Sequence, residues 1–434
     1  MPPPLTLIEK LATKHAAPGS LKPNQPVRSG EIITIRPNHV MTHDNTSAVM
    51  GKFKEIWKGV EAMAQKSDGG VATAIKPRVL DPRQPVFAID HDIQNKTPEN
   101  LGKYAKIESF AREHGIDFYP AGTGISHQVM VEQGYVTPGS MVVGSDSHSN
   151  LYGAACCLGT PVVRTDAASI WATGVTWWQV PPVARCTFKG KLQPGVVGKD
   201  VIIALCGLFN NDEVLNMAVE FVGAPGDAEV MKCLSMDARM SISNMTTEWG
   251  ALVGNFPFDE VLRDYLYGRA DYLAKRGSKR FSRSDVDAWW AKRDDLKADA
   301  GAHYTVELEL DLSTVIPNVS GPDDVKTMTA LPVIEKQQVK INKTYLLSCV
   351  NARLEDLREA ANVINGHKVA AGVEFYVAAA SAEVQKQAES EGAWQRLVGA
   401  GAIPLSSGCG PCIGLGIGTL KAGEVGISAT NRNF

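Results

Sequence analysis

Met141-Val-Val-Gly-Ser-Asp-Ser-His148 begins with three apolar residues and ends on a hydroxyl, a carboxylate and an imidazole. A short, fully apolar run that stops at a glycine and then releases polar side chains reads as a strand buried on both faces. Strands of that kind belong to parallel sheets covered by helices, and their ligands collect beyond the carboxyl ends.

The same rhythm recurs in both directions along the chain. Pro85–Ile89 is a buried run that stops at Asp90-His91, and Gly115–Tyr119 runs into the turn Gly122–Gly124. Tyr345–Leu347 ends at Ser348-Cys349, and helical spacing follows over Glu355–Ile364. Phe375–Ala378, Ala402–Leu405 and Val425–Ala429 continue the alternation. Strand, polar loop and helix in repetition predict α/β domains with mainly parallel sheets. At roughly 150 residues per domain, 434 residues make about three. Soft boundaries near residues 185 and 312 give domains 1–185, 186–312 and 313–434. Between about 259 and 302 Arg, Lys, Asp and Tyr dominate, which predicts a solvated helical insertion, and the strict alternation of Tyr304–Leu312 predicts a half-exposed strand. Trp171, Trp177 and Trp178 read as packing residues.

Composition narrows the function. Lys and Arg number 44 against 47 Asp and Glu, a net charge of −3, which lacks the excess base that nucleic-acid phosphates or an anionic membrane demand. No apolar run reaches the roughly 18–20 residues of a membrane span. Eight cysteines are too few for a disulfide scaffold of this length, which points to a reducing compartment. Cys156, Cys157, Cys186, Cys206 and Cys233 lie in apolar contexts and read as small buried hydrophobes. The opening Met1-Pro-Pro-Pro4 is neither a secretory signal nor a transit peptide.

Cys409-Gly-Pro-Cys412 carries the strongest local chemistry. A thioredoxin-like redox pair needs such a motif early in its domain, and only 22 residues follow Cys412. Structural zinc needs two further ligands, and neither a second CxxC nor a nearby histidine is in reach. An iron–sulfur cluster takes thiolates, with Cys349 placed at a distant strand end as a third. Three thiolates for four irons leave one iron open as a Lewis acid. Buried structural cysteines remain the plain alternative. The glycines at 414, 416 and 418 lack the preceding strand and spacing of a dinucleotide-binding loop.

Acid–base groups cluster by the same logic. Asp90-His91 and Asp146-Ser147-His148 each set a carboxylate beside an imidazole at a strand end, which fixes a tautomer and tunes basicity. Glu248, in Asn244-Met-Thr-Thr-Glu248-Trp-Gly, lies between apolar runs; buried, it is expected to be an acid or base of raised pKa, and a satisfied or surface glutamate is the plain alternative. His43, in Met-Thr-His43-Asp44-Asn45, reads on its own as structural. Arg432 follows a strand end and suits a bidentate contact to a carboxylate.

Ser348-Cys349-Val350-Asn351, the run Gly408–Gly414, Gly144–His148 and Asn431-Arg432-Asn433-Phe434 together resemble the aconitase superfamily of iron–sulfur hydro-lyases, over essentially the whole chain. His39–Thr46 and Val163–Gly174 are most similar to the branch of that superfamily serving lysine biosynthesis in the mitochondrial matrix. The resemblance implies three aconitase-like α/β domains around a central [4Fe–4S] cluster with one labile iron, held by Cys349, Cys409 and Cys412, and a small tricarboxylate substrate. It implies Asp90-His91 as the pair that protonates the departing hydroxyl. It places Asp146, Ser147, His148 and Glu248 around substrate and water, His43 and Arg432 against the substrate, and Asn244 and Asn431 beside the cluster. A branch acting on isopropylmalate, citrate-type relatives, and cluster-free RNA-binding relatives are the alternatives; the net charge of −3 argues against the last.

Val350 and Ala352 depart from the family's more usual Thr and Ser. The family continues past residue 434 with a mobile C-terminal domain in the same chain, carrying the serine base. Without it, the site is expected to lie in a wide-open cleft.

Overall fold

A computed structural model describes residues 3–22, 25–67, 76–227 and 229–432. The first two residues of the Met-Pro-Pro-Pro opening, and Asn433 and Phe434 of the last motif, lie outside the described residues.

Three sheets, each wholly parallel, organise the chain. The first runs Asp117–Tyr119, Pro85–Ala88, His39–Thr42, Met141–Gly144, Leu158–Pro161 in spatial order. The chain moves to one side of the His39–Thr42 strand and then returns to pair Met141–Gly144 on the other. The strand order therefore reverses at this pair, the point where a doubly wound sheet leaves a crevice. The second sheet orders Val253–Asn255, Ala218–Gly223, Val183–Lys189 and Val306–Asp311. The third orders Ile403–Pro404, Glu374–Val377, Lys343–Leu346 and Gly426–Ser428.

The first core gathers both faces of its sheet. Phe53, Phe87, Phe110 and Trp171 meet in it, with the Phe87 and Trp171 rings 4.9 Å apart. Trp177 departs from the packing expected of it. Its strand, Thr176–Gln179, pairs antiparallel with Ile32–Ile35 as a ribbon of two strands, and alternation turns Trp178 inward and leaves Trp177 62% exposed. The charged segment also differs from a solvated insertion. Its helices, Glu260–Lys275 and Arg283–Ala291, are amphipathic, and Leu262, Leu266, Ala270, Leu273 and Val286 are buried in the first core. A polar majority in composition hid an apolar stripe at helical spacing.

Two glycines let the layers close. A Cβ at Gly153 would lie 1.9 Å from the Gly254 carbonyl oxygen, so the first sheet's connector can meet the second sheet only without a side chain. A Cβ at Gly408 would lie 2.6 Å from the Asp90 carbonyl oxygen and 2.5 Å from Ile93. That close approach brings the third sheet's cysteine loop onto the first sheet's strand end. Among the described residues no helix is long and apolar enough to cross a membrane.

Candidate active site

The site assembles where loops from the carboxyl ends of the first and third sheets face one helix of the second region. The helix Met236–Trp249 starts at Ser235, whose hydroxyl accepts from the Ala238 N–H at 3.1 Å, and stops at Gly250 with φ +102°. Asp237, Ser241, Asn244 and Glu248 recur along it at helical spacing, on one face.

The three thiols converge in this space. Asn244 Nδ2 lies 3.1 Å from the Cys349 sulfur and Asn431 Nδ2 lies 3.4 Å from it. Asn431 Oδ1 stands 3.7 Å from Cys349 and 3.6 Å from the Cys412 sulfur, so a single amide touches both. Cys409 completes the set, its sulfur 3.8 Å from Asp90 Oδ2 and its N–H donating to the Asp90 carbonyl at 2.7 Å. All three are buried, at 6%, 8% and 7% exposure for Cys349, Cys409 and Cys412. Against the expectation of a wide-open cleft, the sulfurs themselves are little exposed, and of the site's charged groups Arg432 is the most exposed, at 42%.

The acid–base groups link into one network beside the thiols. Asp90 Oδ1 holds His91 Nδ1 at 2.6 Å, and Asp90 Oδ2 accepts the Ser126 N–H at 2.7 Å. His91 stacks on His43 with ring centres 3.8 Å apart, and Nε2 of both rings approaches Asp146 Oδ2, at 3.5 Å from His91 and 3.6 Å from His43. His148 Nε2 meets Glu248 Oε1 at 2.8 Å. Arg432 donates from Nε to the same Glu248 oxygen at 2.9 Å and from Nη2 to the Ser147 hydroxyl at 3.0 Å. Residues from position 43 to position 432 thus share one continuous set of contacts.

Electrostatics sorts these groups. Burial opposes charge on Asp90, but the His91 and His43 imidazoles and the Ser126 N–H outweigh it and hold the carboxyl below its usual range. Asp146 follows the same pattern more strongly: burial is overcome by His127, His148 and His91. Burial likewise resists charge on His91, yet the Cys409 sulfur and the Asp90 and Asp146 carboxylates raise its pKa. His43 goes the other way, lowered by burial and by His91, so one imidazolium stacks on one neutral ring. His148 rises to about 9, since Glu248 and Asp146 exceed the burial penalty. Glu248 was expected to be raised. Burial does push it up, but His148 and Arg432 reverse the sign and leave it lowered.

His127 was not singled out from the sequence. Its Nδ1 lies 3.0 Å from the Tyr152 hydroxyl and its Nε2 lies 2.8 Å from Asp146 Oδ1. It opens the helix Ser126–Glu132 just past the turn that ends a strand, so the strand-end rule applied to Gly122–Gly124 pointed to it. Lys199 was also missed. Half-buried, and lowered to about 8 chiefly by desolvation, it donates to the Thr430 carbonyl at 2.7 Å and braces the turn carrying Asn431 and Arg432. Asp44, similarly, accepts the N–H groups of Asp90, His91 and Asp92 at 3.0, 2.8 and 3.0 Å, together with the Tyr104 hydroxyl. His43, Asp44, Asp90 and His91 lie close enough to hold one ion, but these bonds already occupy the Asp44 carboxylate.

A family-wide sequence profile described as "Aconitase family (aconitate hydratase)" matches residues 9–434. The chain belongs to the aconitase family. It is 55% identical over 431 residues to "Homoaconitase, mitochondrial" of Yarrowia lipolytica, covering 99% of this chain and 58% of that protein. The proteins of the same name in Cryptococcus neoformans var. neoformans and Neurospora crassa are 51% and 52% identical over 446 and 445 residues, again 99% of this chain, and 57% and 54% of theirs. The chain therefore spans a little over half the length of the curated relatives it matches. Among solved structures, aconitase X of Thermococcus kodakaraensis aligns at TM-score 0.45 and 11% identity, over 87% of this chain and 79% of that one.

The donor set fits the iron–sulfur cluster that membership in this family implies. Burial lifts the thiols, Cys349 to about 12, Cys412 to about 11 and Cys409 also upward, so their protons leave only when a soft cation takes the sulfur. Amide N–H groups from Asn244 and Asn431 meet Cys349 from the side, the hydrogen bonding that tunes cluster thiolates. Glu248 Oε2 is buried without a hydrogen-bond partner among the described residues, an acceptor left over in the site.

Proposed function

We propose that the protein, at the length of its curated relatives, is a mitochondrial-matrix homoaconitase of lysine biosynthesis, a hydro-lyase that interconverts homoaconitate and homoisocitrate. The observation that supports this most is the placement of three buried thiols directly against a connected set of histidines and carboxylates. Cys349, Cys409 and Cys412 would hold a [4Fe–4S] cluster, and its open iron supplies a Lewis acid for the substrate hydroxyl. His91, charged and fixed at Nδ1 by Asp90, donates from Nε2 to the departing hydroxyl. Asp146 receives His91, His127 and His148 around one carboxylate and keeps the Nε2 of His91 aimed. Arg432 turns its fork from Glu248 and Ser147 to a substrate carboxylate, the planar match for which arginine is suited. His43 is a neutral ring beside the acid and shapes the substrate face. The proton-abstracting base is placed in the further length that the relatives have. In this reading the chain has three domains with boundaries near 185 and 312, a division that the three parallel sheets support, although the helices Glu260–Lys275 and Arg283–Ala291 pack on the first core. Neither nucleic acid nor membrane is a partner in this reading.

Anaerobic reconstitution with iron and sulfide tests the ligand set. Broad visible absorbance is expected from the parent chain and is expected to vanish in the Cys→Ser variant at position 349, 409 or 412; a full cluster in Cys349→Ser removes that residue from the site. A substrate panel on the protein at its relatives' length tests specificity. Turnover of homoaconitate above that of cis-aconitate and isopropylmaleate is expected, and the reverse order overturns the assignment.

A further inference from the structure

Arg353 stands at a position where helix physics favours a different residue. It is the N-cap of the helix Leu354–Ile364, a place that selects Ser, Thr, Asp or Asn and where the helix dipole disfavours a cation. The capping is done by others: Asp356 accepts the Arg353 N–H at 2.9 Å and the Asn351 amide at 2.8 Å. The Arg353 side chain instead turns into the interior and is 1% exposed. Burying a guanidinium is costly unless every arm finds an acceptor, so its surroundings show what it serves.

Those surroundings are the Cys349 loop on one side and the site helix on the other. Nη1 donates to the Cys349 carbonyl at 2.7 Å, and Nη2 reaches the Val350 carbonyl. Nη2 also donates to the Ser241 hydroxyl at 2.7 Å and the Asp237 carbonyl at 2.9 Å, and Nε faces the Asp237 carboxylate at 3.2 Å. Ser241 closes the loop by donating to the Val350 carbonyl at 2.9 Å. The loop needs such restraint, because Ser348, immediately before the cysteine, is held at φ +107°, a left-handed conformation that serine rarely adopts. Asp237 and Ser241 lie on the helix face that continues to Asn244, 3.1 Å from the Cys349 sulfur, and to Glu248.

We infer that Arg353 is a positioning residue: its buried fork locks the strained Cys349 loop to the site helix and sets the direction of the Cys349 sulfur relative to its amide donor. The buried guanidinium at an N-cap is held by four hydrogen-bond acceptors that belong to the site, three backbone carbonyls and the Ser241 hydroxyl, while the Asp237 carboxylate offsets the charge at Nε as an ion pair without a hydrogen bond. This inference rests on the proposed reading of Cys349 as a cluster ligand. A Lys at this position would keep the charge and lose the planar fork.

The test reads thiol reactivity in the cluster-free chain, with alkylation followed by peptide mass spectrometry. Cys156, Cys157, Cys186 and Cys206 are fully buried elsewhere and report any general loosening. In Arg353→Met, alkylation of Cys349 is expected to accelerate about tenfold while those four stay protected, because freeing the loop carbonyls lets it open. Arg353→Lys is expected to resemble Arg353→Met more than the parent. After reconstitution, iron loss to a chelator is expected to be about tenfold faster in both, the same opening read through the cluster. An unchanged Cys349 rate in a folded Arg353→Met overturns the inference. If all thiols of Arg353→Met react together, Ser241→Ala decides, since it removes one acceptor from the helix side: faster Cys349 alkylation supports the lock and an unchanged rate overturns it. A full cluster in Cys349→Ser would overturn the ligand reading instead, which the alkylation result in the cluster-free chain leaves separate.

Discussion

The Nε2 of His127 lies 2.8 Å from Oδ1 of Asp146, which makes Asp146 the meeting point of four histidines, His43, His91, His127 and His148, rather than the partner of one. After burial, His127 is the largest influence on that carboxylate and holds it ionised. His127→Phe is expected to raise the Asp146 pKa and weaken the alignment of His91. Turnover by the protein at its relatives' length should fall about 100-fold, the scale of a misplaced acid–base group, with the cluster absorbance unchanged. Equal turnover would show that His127 only fills space against Tyr152.

The His148–Glu248 pair gives a pH signature. His148 is raised to about 9 from an ordinary 6.5, so the folded state binds that proton more tightly than the unfolded chain. The stabilisation is fully present below 6.5 and is lost as pH rises through 9. Glu248→Gln removes the largest raising influence and leaves burial opposing the charge. Titration of the His148 ring by NMR is expected to show its pKa falling toward 6.5 in that variant. A ring still titrating near 9 would mean that Asp146 alone sustains it.

Much of this was legible because parallel α/β sheets place polar loops at strand ends, and each such end was marked by an apolar run. Asp90, His91, Asp146, His148 and Cys349 were all readable by that rule. The inward-turned cations were not: Arg353, buried, and Lys199, half-buried, carry long basic side chains that ordinarily lie at the surface, and only three-dimensional neighbours show why they turn inward. The direction of the Glu248 shift was misread for a similar reason, since burial was visible in the apolar context while Arg432 lies 184 residues away. Trp177 was misread because a strand on a two-stranded ribbon buries only one face.

Glu220 links the N-terminal helix to the second sheet, accepting the Ile8 N–H at 2.9 Å and the Tyr304 hydroxyl at 2.8 Å. Burial pushes its carboxyl to about 7 from an ordinary 4.5. The folded state therefore favours the protonated form, and this stabilisation is present below 4.5 and lost as pH rises through 7. The difference corresponds to something on the order of 3 kcal/mol. Glu220→Gln keeps an acceptor and abolishes the titration. Its melting temperature is expected to gain on the parent's between pH 5 and pH 8, by a few degrees for a change of about this size. A gap that stays constant with pH would assign the titration to another group.

Gly408 and Gly153 separate site assembly from overall stability. Gly153→Ala would bring a methyl 1.9 Å from the Gly254 backbone oxygen, between two sheets that cannot both keep their place. Overpacking of that kind is expected to cost about 3 kcal/mol or more and to lower the melting temperature by several degrees. Gly408→Ala meets the Asp90 carbonyl oxygen at 2.6 Å, and Gly408 does not have a positive φ, so the effect is steric alone. The added methyl must push the cysteine loop away from Asp90 and His91, breaking the bonds from the Cys409 and Gly410 N–H groups to their carbonyls, now 2.7 and 3.2 Å. Because the cysteine loop is buried in small clusters of a few residues while Gly153 sits between two sheets at the large cores, Gly408→Ala should change the melting temperature less than Gly153→Ala. It should nevertheless impair reconstitution, since Cys409 and Cys412 would move together away from Cys349. A Gly408→Ala chain that takes up a full cluster, with His91 titrating as in the parent, would show that the loop can re-form the site without this close approach.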